Sequence, residues 1–211
     1  RKVERYRYTD IAKLFEPNYG LNLNRLDIPV DPYDVFRCDV PNLSTSLYFV
    51  INDSFYSKQL PQAHLPEGVV IDSLSRVAAT RPELVEPYYG HIAPTATDAL
   101  TALNTMLAQD GLFIYVPKNV RMERTVQVIN ILRSDVDLMV NRRVLMVIEQ
   151  GAEARFLFCD HAADDRRFLA TQVIEAYVGD NASLDLYCLE ETHIRNTRTS
   201  NVYIEQQANS R

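Results

Sequence analysis

Two short runs gather thiol, imidazole and carboxylate groups close together: Cys159-Asp160-His161 and Cys188-Leu189-Glu190-Glu191-Thr192-His193. These are the side-chain types that bind transition metals, so Cys159, His161, Cys188 and His193 are the ligand candidates of the chain. Their spacing argues against a pre-formed site, because neither run has the Cys-x-x-Cys or His-x-x-x-His arrangement that sets two ligands on one metal. A 28-residue repeat, described below, places Cys159 beside Tyr187 and Asp160 beside Cys188. In alternating strands the two thiols then point to opposite faces of a sheet. The expectation is therefore no catalytic residue and no cofactor-binding residue.

Other chemistry finds less support. There is no Gly-x-x-x-x-Gly-Lys-Ser/Thr phosphate loop and no Gly-x-Ser-x-Gly nucleophile turn. Asp135, Asp137, Glu149 and Glu153 fall on turns and outer strand positions, where acidic residues ordinarily keep a surface solvated. Asp164 to Arg167 reads as a solvated loop. Arg142-Arg143 and the Arg195 to Arg198 stretch read as solvated rims near strand ends. The three cysteines, including Cys38, are widely spaced and suit buried, reduced thiols.

The 211 residues, 46% hydrophobic and 24% charged, suffice for one large domain or two small ones. A net charge of -6 without a dense Lys/Arg block argues against nucleic acid and anionic membranes as partners. No apolar run approaches the ~20 residues of a bilayer span, and no secretory leader is visible, which gives a cytoplasmic expectation. Arg1 is not an initiator Met, and a strand pattern still runs near Arg211. The chain reads as a fragment.

The elements that would position these groups follow from periodicity. Residues 149–158 nearly recur at 177–186, with Gly151 over Gly179, Ala154 over Ala182, and Phe156 and Phe158 over Leu184 and Leu186. Glycine suits a tight positive-φ corner, alanine a small inward corner, and the alternating apolar pair one buried strand face. Val116-Pro117-Lys118-Asn119-Val120 is a looser copy, and strand patterns recur at 112–116, 126–132, 144–148, 154–159, 169–178, 183–189 and 198–205. Such spacing predicts a β-solenoid rather than a sandwich.

Before it, the sequence predicts a short helix near residues 4–15 with Thr9 or Asp10 as cap, an extended connector over 18–39, strands at 47–51 and 68–72, and helices at 73–80 and 83–89. A longer helix over 96–109 carries an apolar stripe of Ala99, Leu100, Leu103, Met106 and Leu107, closed by a left-handed cap at Asp110-Gly111. Tyr6, Tyr8, Tyr88 and Tyr89 are expected to pack against the open end of the solenoid. The division is 1–111, an α/β cap region with its connector, and 112–211, the β-helix core.

Three pieces, in order, resemble the iron-sulfur cluster assembly family of SufB and SufD, and SufD most closely. Glu4-Arg5-Tyr6-Arg7-Tyr8-Thr9 is similar to the family's Glu-x-Trp-Arg-Tyr-Thr motif, with Tyr for Trp. Leu103-Asn104 followed by Asp110-Gly111-Leu112-Phe113-Ile114-Tyr115-Val116-Pro117 resembles its helix running into the first core strand. Gly151-Ala152 and Gly179-Asp180-Asn181-Ala182 resemble its rung corners. The resemblance implies a right-handed parallel β-helix and a non-catalytic scaffold subunit that pairs with a SufB-like paralogue and a SufC-like ATP-binding-cassette ATPase. A homodimer in isolation fits the same picture. An iron-sulfur cluster would be held transiently in the full complex, with none bound by this fragment. A β-helix enzyme acting on polysaccharide is the alternative.

Overall fold

The computed structural model describes residues 6–21, 23, 29–35, 46–58, 61 and 65–211. Cys38 and the Glu4-Arg5 part of the opening motif lie outside the described residues. Strands β1 (Gly20–Leu21), β2 (Ser46–Ile51), β3 (Ser54–Phe55) and β4 (Val70–Ser73) precede seven more: β5 (Leu112–Val116), β6 (Val126–Leu132), β7 (Leu138–Ile148), β8 (Glu153–Ala162), β9 (Phe168–Val178), β10 (Ser183–Glu191) and β11 (Thr197–Gln206). From β5 onward, successive strands alternate between two sheets. One runs β11-β9-β7-β5-β4, with β1 also on β7; the other runs β10-β8-β6-β2-β3.

All pairings among β5 to β11 are parallel, as is that of β2 with β6. Chain that returns to the same sheet in parallel after visiting a facing sheet is a coil, so the expected parallel β-helix is the fold, in about three turns. The two antiparallel pairs, β2 with β3 and β4 with β5, lie where the N-terminal segment joins the stack.

The repeat length is not constant. Leu112 pairs with Val144, Leu138 with Phe168, and Leu169 with Thr197, so the coils shorten along the chain. The 28-residue offset holds for β9 and β11, but β8 and β10 are 30 apart, with Glu153 beside Ser183. Gly151 therefore stacks on Asn181, not on Gly179. A column of corners, Asn119, Gly151, Asn181 and Asn209, has φ between 55° and 67°. Asparagine tolerates this left-handed region because its short amide bonds locally. Gly179 serves another purpose: a Cβ there would lie 2.7 Å from the Gln150 amide nitrogen.

Inward residues of the two sheets interdigitate as the main core. Val128, Phe156 and Phe158 face Met146, Ile148, Ile174 and Val178, and Ala152, Ala154 and Ala182 fill the narrow corner. Alternation at the one-residue level explains why both faces of β7 and β9 are buried: one lines the lumen, the other lies under helices.

The N-terminal helices are shorter than the sequence pattern suggests. They are α1 (Ile11–Leu14), α2 (Pro32–Val35), α3 (Leu74–Thr80) and α4 (Ala99–Leu107). Asp10 occupies the cap position of α1 without a side-chain cap bond, whereas Ser73 caps α3 by accepting from the Arg76 amide. The expected helix at 83–89 is a single tight turn at Pro82–Leu84 followed by turns. The supposed connector holds α2 and also β1, which pairs with β7.

Candidate functional site

Helix α4 turns only part of the expected apolar stripe inward, Leu100 above all. Its buried positions are Leu100, Thr101 and Asn104, while Met106 of the supposed apolar stripe is 72% exposed. The helix presents hydrogen-bonding groups to the sheet because the sheet face beneath it is polar. Asn104 Nδ2 donates to the Arg142 carbonyl at 2.9 Å and to Thr171 Oγ1 at 3.0 Å. Asp98 caps the helix by accepting from the Thr101 amide at 2.8 Å, and also accepts from the Tyr6 hydroxyl at 2.7 Å. Thr101 in turn meets the Tyr203 hydroxyl on β11.

The centre of this face is an ion pair between Arg143 and Glu175, both side chains fully buried. The guanidinium also donates to Thr105 Oγ1 and lies 4.6 Å from the centre of the Tyr89 ring. The carboxylate accepts from the backbone amides of Gly90, Ile92 and Ala93 at 3.0 to 3.2 Å. Gly90 has φ +76°, and the turn there brings these three amides toward one point while the His91 amide goes to the Tyr88 carbonyl, a small anion-binding nest. Glu175 thereby ties the segment before α4 to the solenoid.

Asp110-Gly111 has a related role. Neither is a left-handed cap. Asp110 accepts from Ser73 Oγ at 2.7 Å and from the amides of Ser75 and Phe55, joining α3 and β3 to the start of the core. Gly111 allows β5 to approach β7, since a Cβ would lie 2.2 Å from the Arg143 carbonyl oxygen.

The other polar cluster is inside the lumen. Arg142 reaches across from β7, donating through Nε to the Asn52 carbonyl at 2.9 Å and through Nη1 to Asp160. Arg198 on β11 donates to the second Asp160 oxygen, and its Nε meets Glu190 at 3.2 Å. The Arg142-Arg143 rim reading is thus wrong on both residues, and Arg198 is mostly buried as well. Neighbours on a strand point to opposite faces; here each face supplies a carboxylate. Burial pushes the Arg142 pKa down, with Asp160 opposing.

The four sequence-predicted ligands do not converge. Cys159 is buried on the outer face of β8 with Phe49, Ile129 and Ile131, and accepts from Gln127 Nε2 at 3.4 Å. Cys188 stands beside Phe158, on the inward face of β10, and is exposed. The two thiols do face opposite ways, because a register error of two residues preserves parity. Burial raises the Cys188 pKa, the Arg198 guanidinium opposes that rise and Asp160 adds to it. His161 sits on the outer face with Nδ1 3.4 Å from Glu191; burial lowers its pKa and the Glu191 and Asp160 carboxylates oppose this. His193 is exposed in the loop before β11, where its Nδ1 accepts from the Arg195 amide. Among the described residues no group of three or more His, Cys, Asp or Glu side chains could hold a metal ion.

The tyrosines pack on the flank of the solenoid rather than on its end. Tyr88 lies 5.0 Å from Tyr177, and burial near Glu149 pushes its hydroxyl pKa up to about 12. Tyr8 is 92% exposed and packs little.

Residues 1–128 match the family model described as the SufBD protein N-terminal region, and residues 130–211 match the SUF system FeS cluster assembly, SufBD core domain. The chain belongs to the SufBD family. A SufBD family protein of Synechocystis is 30% identical over 119 residues, covering 56% of this chain and 25% of that protein. A SufBD family protein of Arabidopsis thaliana is 29% identical over 178 residues, 83% of this chain and 37% of that one. The iron-sulfur cluster assembly protein SufD of Bacillus subtilis is 27% identical over 185 residues, 87% and 41% respectively. The chain spans from about a quarter to two fifths of the length of these relatives. Among its described residues no helix is long and apolar enough to cross a membrane. In this SufBD chain the polar ties, rather than the thiols, occupy the structured centre, and only the mid-strand arginines with acids 18 and 32 positions on could have signalled them.

Proposed function

We propose that this chain is the rigid body of a non-catalytic scaffold subunit in an iron-sulfur cluster assembly complex. In that complex it pairs with a SufB-like paralogue and is driven by a SufC-like ATP-binding-cassette ATPase, with the nascent cluster as cargo. Membership in the SufBD family supports the assembly role. The observation that carries the scaffold reading is the way the stack is tied. Parallel ladders of up to eleven residue pairs join neighbouring coils, Arg142 and Asp160 link the facing sheets through the lumen, and Arg143 and Glu175 lock the helical flank to the outside. A body so cross-linked moves as a unit, which suits transmitting displacement from one partner to another.

The test is affinity isolation of the tagged full-length protein from its own cells under gentle lysis. Stoichiometric recovery of an ATP-binding-cassette ATPase and a second β-helix protein is expected. Recovery of neither rejects the proposed partnership.

A further inference from the structure

The outer face of the β5-β7-β9-β11 sheet carries one arrangement of side chains twice, and the second copy lacks a member. In the first, the Arg143 guanidinium of β7 lies 4.6 Å from the centre of the Tyr89 ring and pairs with the Glu175 carboxylate of β9. Ring, carboxylate and cation all come from this chain. Nearer the corner, Tyr115, Val147, Tyr177 and Glu205 form a row across the four strands, and Glu149 follows the end of β7. Tyr88 lies against Tyr177, with ring centres 5.0 Å apart and planes inclined at 47°. Val147, between two of the tyrosines on the ladder, is fully buried, and Tyr88, Tyr115 and Tyr177 pack on its apolar cluster while staying partly open to solvent.

This second copy has the rings and the acid but no cation. Burial, and after it the Glu149 carboxylate, raises the hydroxyl pKa of Tyr88, Tyr115 and Tyr177 alike, so one half-buried carboxylate acts on three rings. Asp180 and Glu205 act on Tyr177 in the same direction. The only basic side chain that acts on any of the three is Arg81, exposed at the end of α3, which reaches Tyr115. Three carboxylates therefore stand against one guanidinium here. The Tyr88 hydroxyl serves Glu149 as a hydrogen-bond donor, which leaves its charge in place. Among the described residues Glu149 makes no ion pair, and no cation lies over the Tyr88, Tyr115 or Tyr177 ring. The faces of aromatic rings are themselves negative, so they add to the carboxylate instead of relieving it.

We propose that Glu149 with the rings of Tyr88, Tyr115 and Tyr177 is a docking site for an arginine side chain of a partner protein. The incoming guanidinium pairs with Glu149 and stacks on a tyrosine face, as Arg143 does with Glu175 and Tyr89. A planar guanidinium makes both contacts at once, which the compact ammonium of lysine does not. Asp180 and Glu205 draw a basic surface toward this rim. The site goes beyond the assembly role and does not depend on it.

The probe is acetyl-arginine amide, with acetyl-citrulline amide, nearly the same shape without the charge, as its control. In the full-length protein with carbon-13 in its tyrosine rings, the arginine probe should shift the Tyr88, Tyr115 and Tyr177 signals along one saturating curve, and the citrulline probe should not. Glu149→Gln should fold, since Glu149 makes no ion pair among the described residues, and should bind the arginine probe about fivefold more weakly, the loss of one partly exposed ion pair. Equal shifts with citrulline, or an affinity that Glu149→Gln leaves unchanged, would overturn the proposal. For the partner itself, p-benzoylphenylalanine placed at Glu205 in the protein's own cells should crosslink beside an arginine of another protein, and Glu149→Gln should remove that crosslink. Saturable shifts without a crosslink that depends on Glu149 would mean that a small free guanidinium compound is the ligand, and the partner protein would be rejected. If Glu149→Gln does not fold, the comparison of arginine with citrulline on the unaltered protein still decides whether the site reads charge.

Discussion

Replacing Glu175 with Gln isolates the charge of the tie between helical flank and solenoid. The substitution keeps shape and one acceptor oxygen, but leaves Arg143 as an uncompensated buried cation, with both side chains at 0% exposure in the native protein. Removing one partner of a buried pair typically costs about 3–5 kcal/mol. For a chain of this size each kcal/mol moves Tm by about 2–4 °C, so Glu175→Gln should melt roughly 6 to 20 °C lower. Because the carboxylate also receives the Gly90, Ile92 and Ala93 amides, these three should exchange faster with deuterium, while β7 and β9 amides remain protected. Urea unfolding followed by circular dichroism gives the free energies. A double-mutant cycle with Arg143→Met should give a coupling of about 1 to 3 kcal/mol, since the two groups share one interaction. A change below about 0.5 kcal/mol, the level of an ordinary surface substitution, or zero coupling would mean that this pair does not hold the flank in place.

Other consequences are direct. Gly151→Ala forces an alanine into φ +67° with its Cβ 2.4 Å from Asn119 Oδ1, and should destabilise by about 1–3 kcal/mol in urea unfolding; Asn181→Gly at the equivalent corner should be tolerated. Ala154→Leu and Ala182→Leu overpack the inward corner and should each cost about 1–3 kcal/mol, read as lower Tm. Burial depresses the His161 pKa below 6.5, so its neutral form is favoured by folding. Its contribution is present above pH 6.5 and lost as pH falls through the depressed value; His161→Gln should flatten the stability profile in that acid window. Cys188, with its pKa raised from 9.0, should react with iodoacetamide at about pH 7 more slowly than a free thiol despite its exposure, and Cys159 should react only on unfolding.

Hydrophobic alternation is enough to locate every strand from β5 to β11, because a lumen-facing row in a solenoid must be apolar at nearly every second residue. The register is harder to read. Gly151 and Gly179 share a residue type but not a job: one needs positive φ, the other needs no Cβ. The true partner, Asn181, is recognisable only once asparagine is admitted to the corner column. Arg142 and Arg143 mislead for a related reason. Side-chain chemistry alone favours solvent for arginine, and only the fold brings Asp160 and Glu175 to opposite faces of the same wall. On α4, composition suggests a wholly apolar face inward, while the polar sheet beneath selects Thr101 and Asn104 beside Leu100. Parity places the thiols correctly, since slipping by two residues changes neighbours but not faces.

The pairing of β8 with β10, read from amide-to-amide NOE contacts in deuterated, amide-protonated protein, bears on the coil itself. Contacts should run in the same direction along both strands, from Glu153 beside Ser183 through His161 beside Glu191. Contacts that run in opposite directions would make this region a meander of hairpins, and both the coil and the scaffold role would fall.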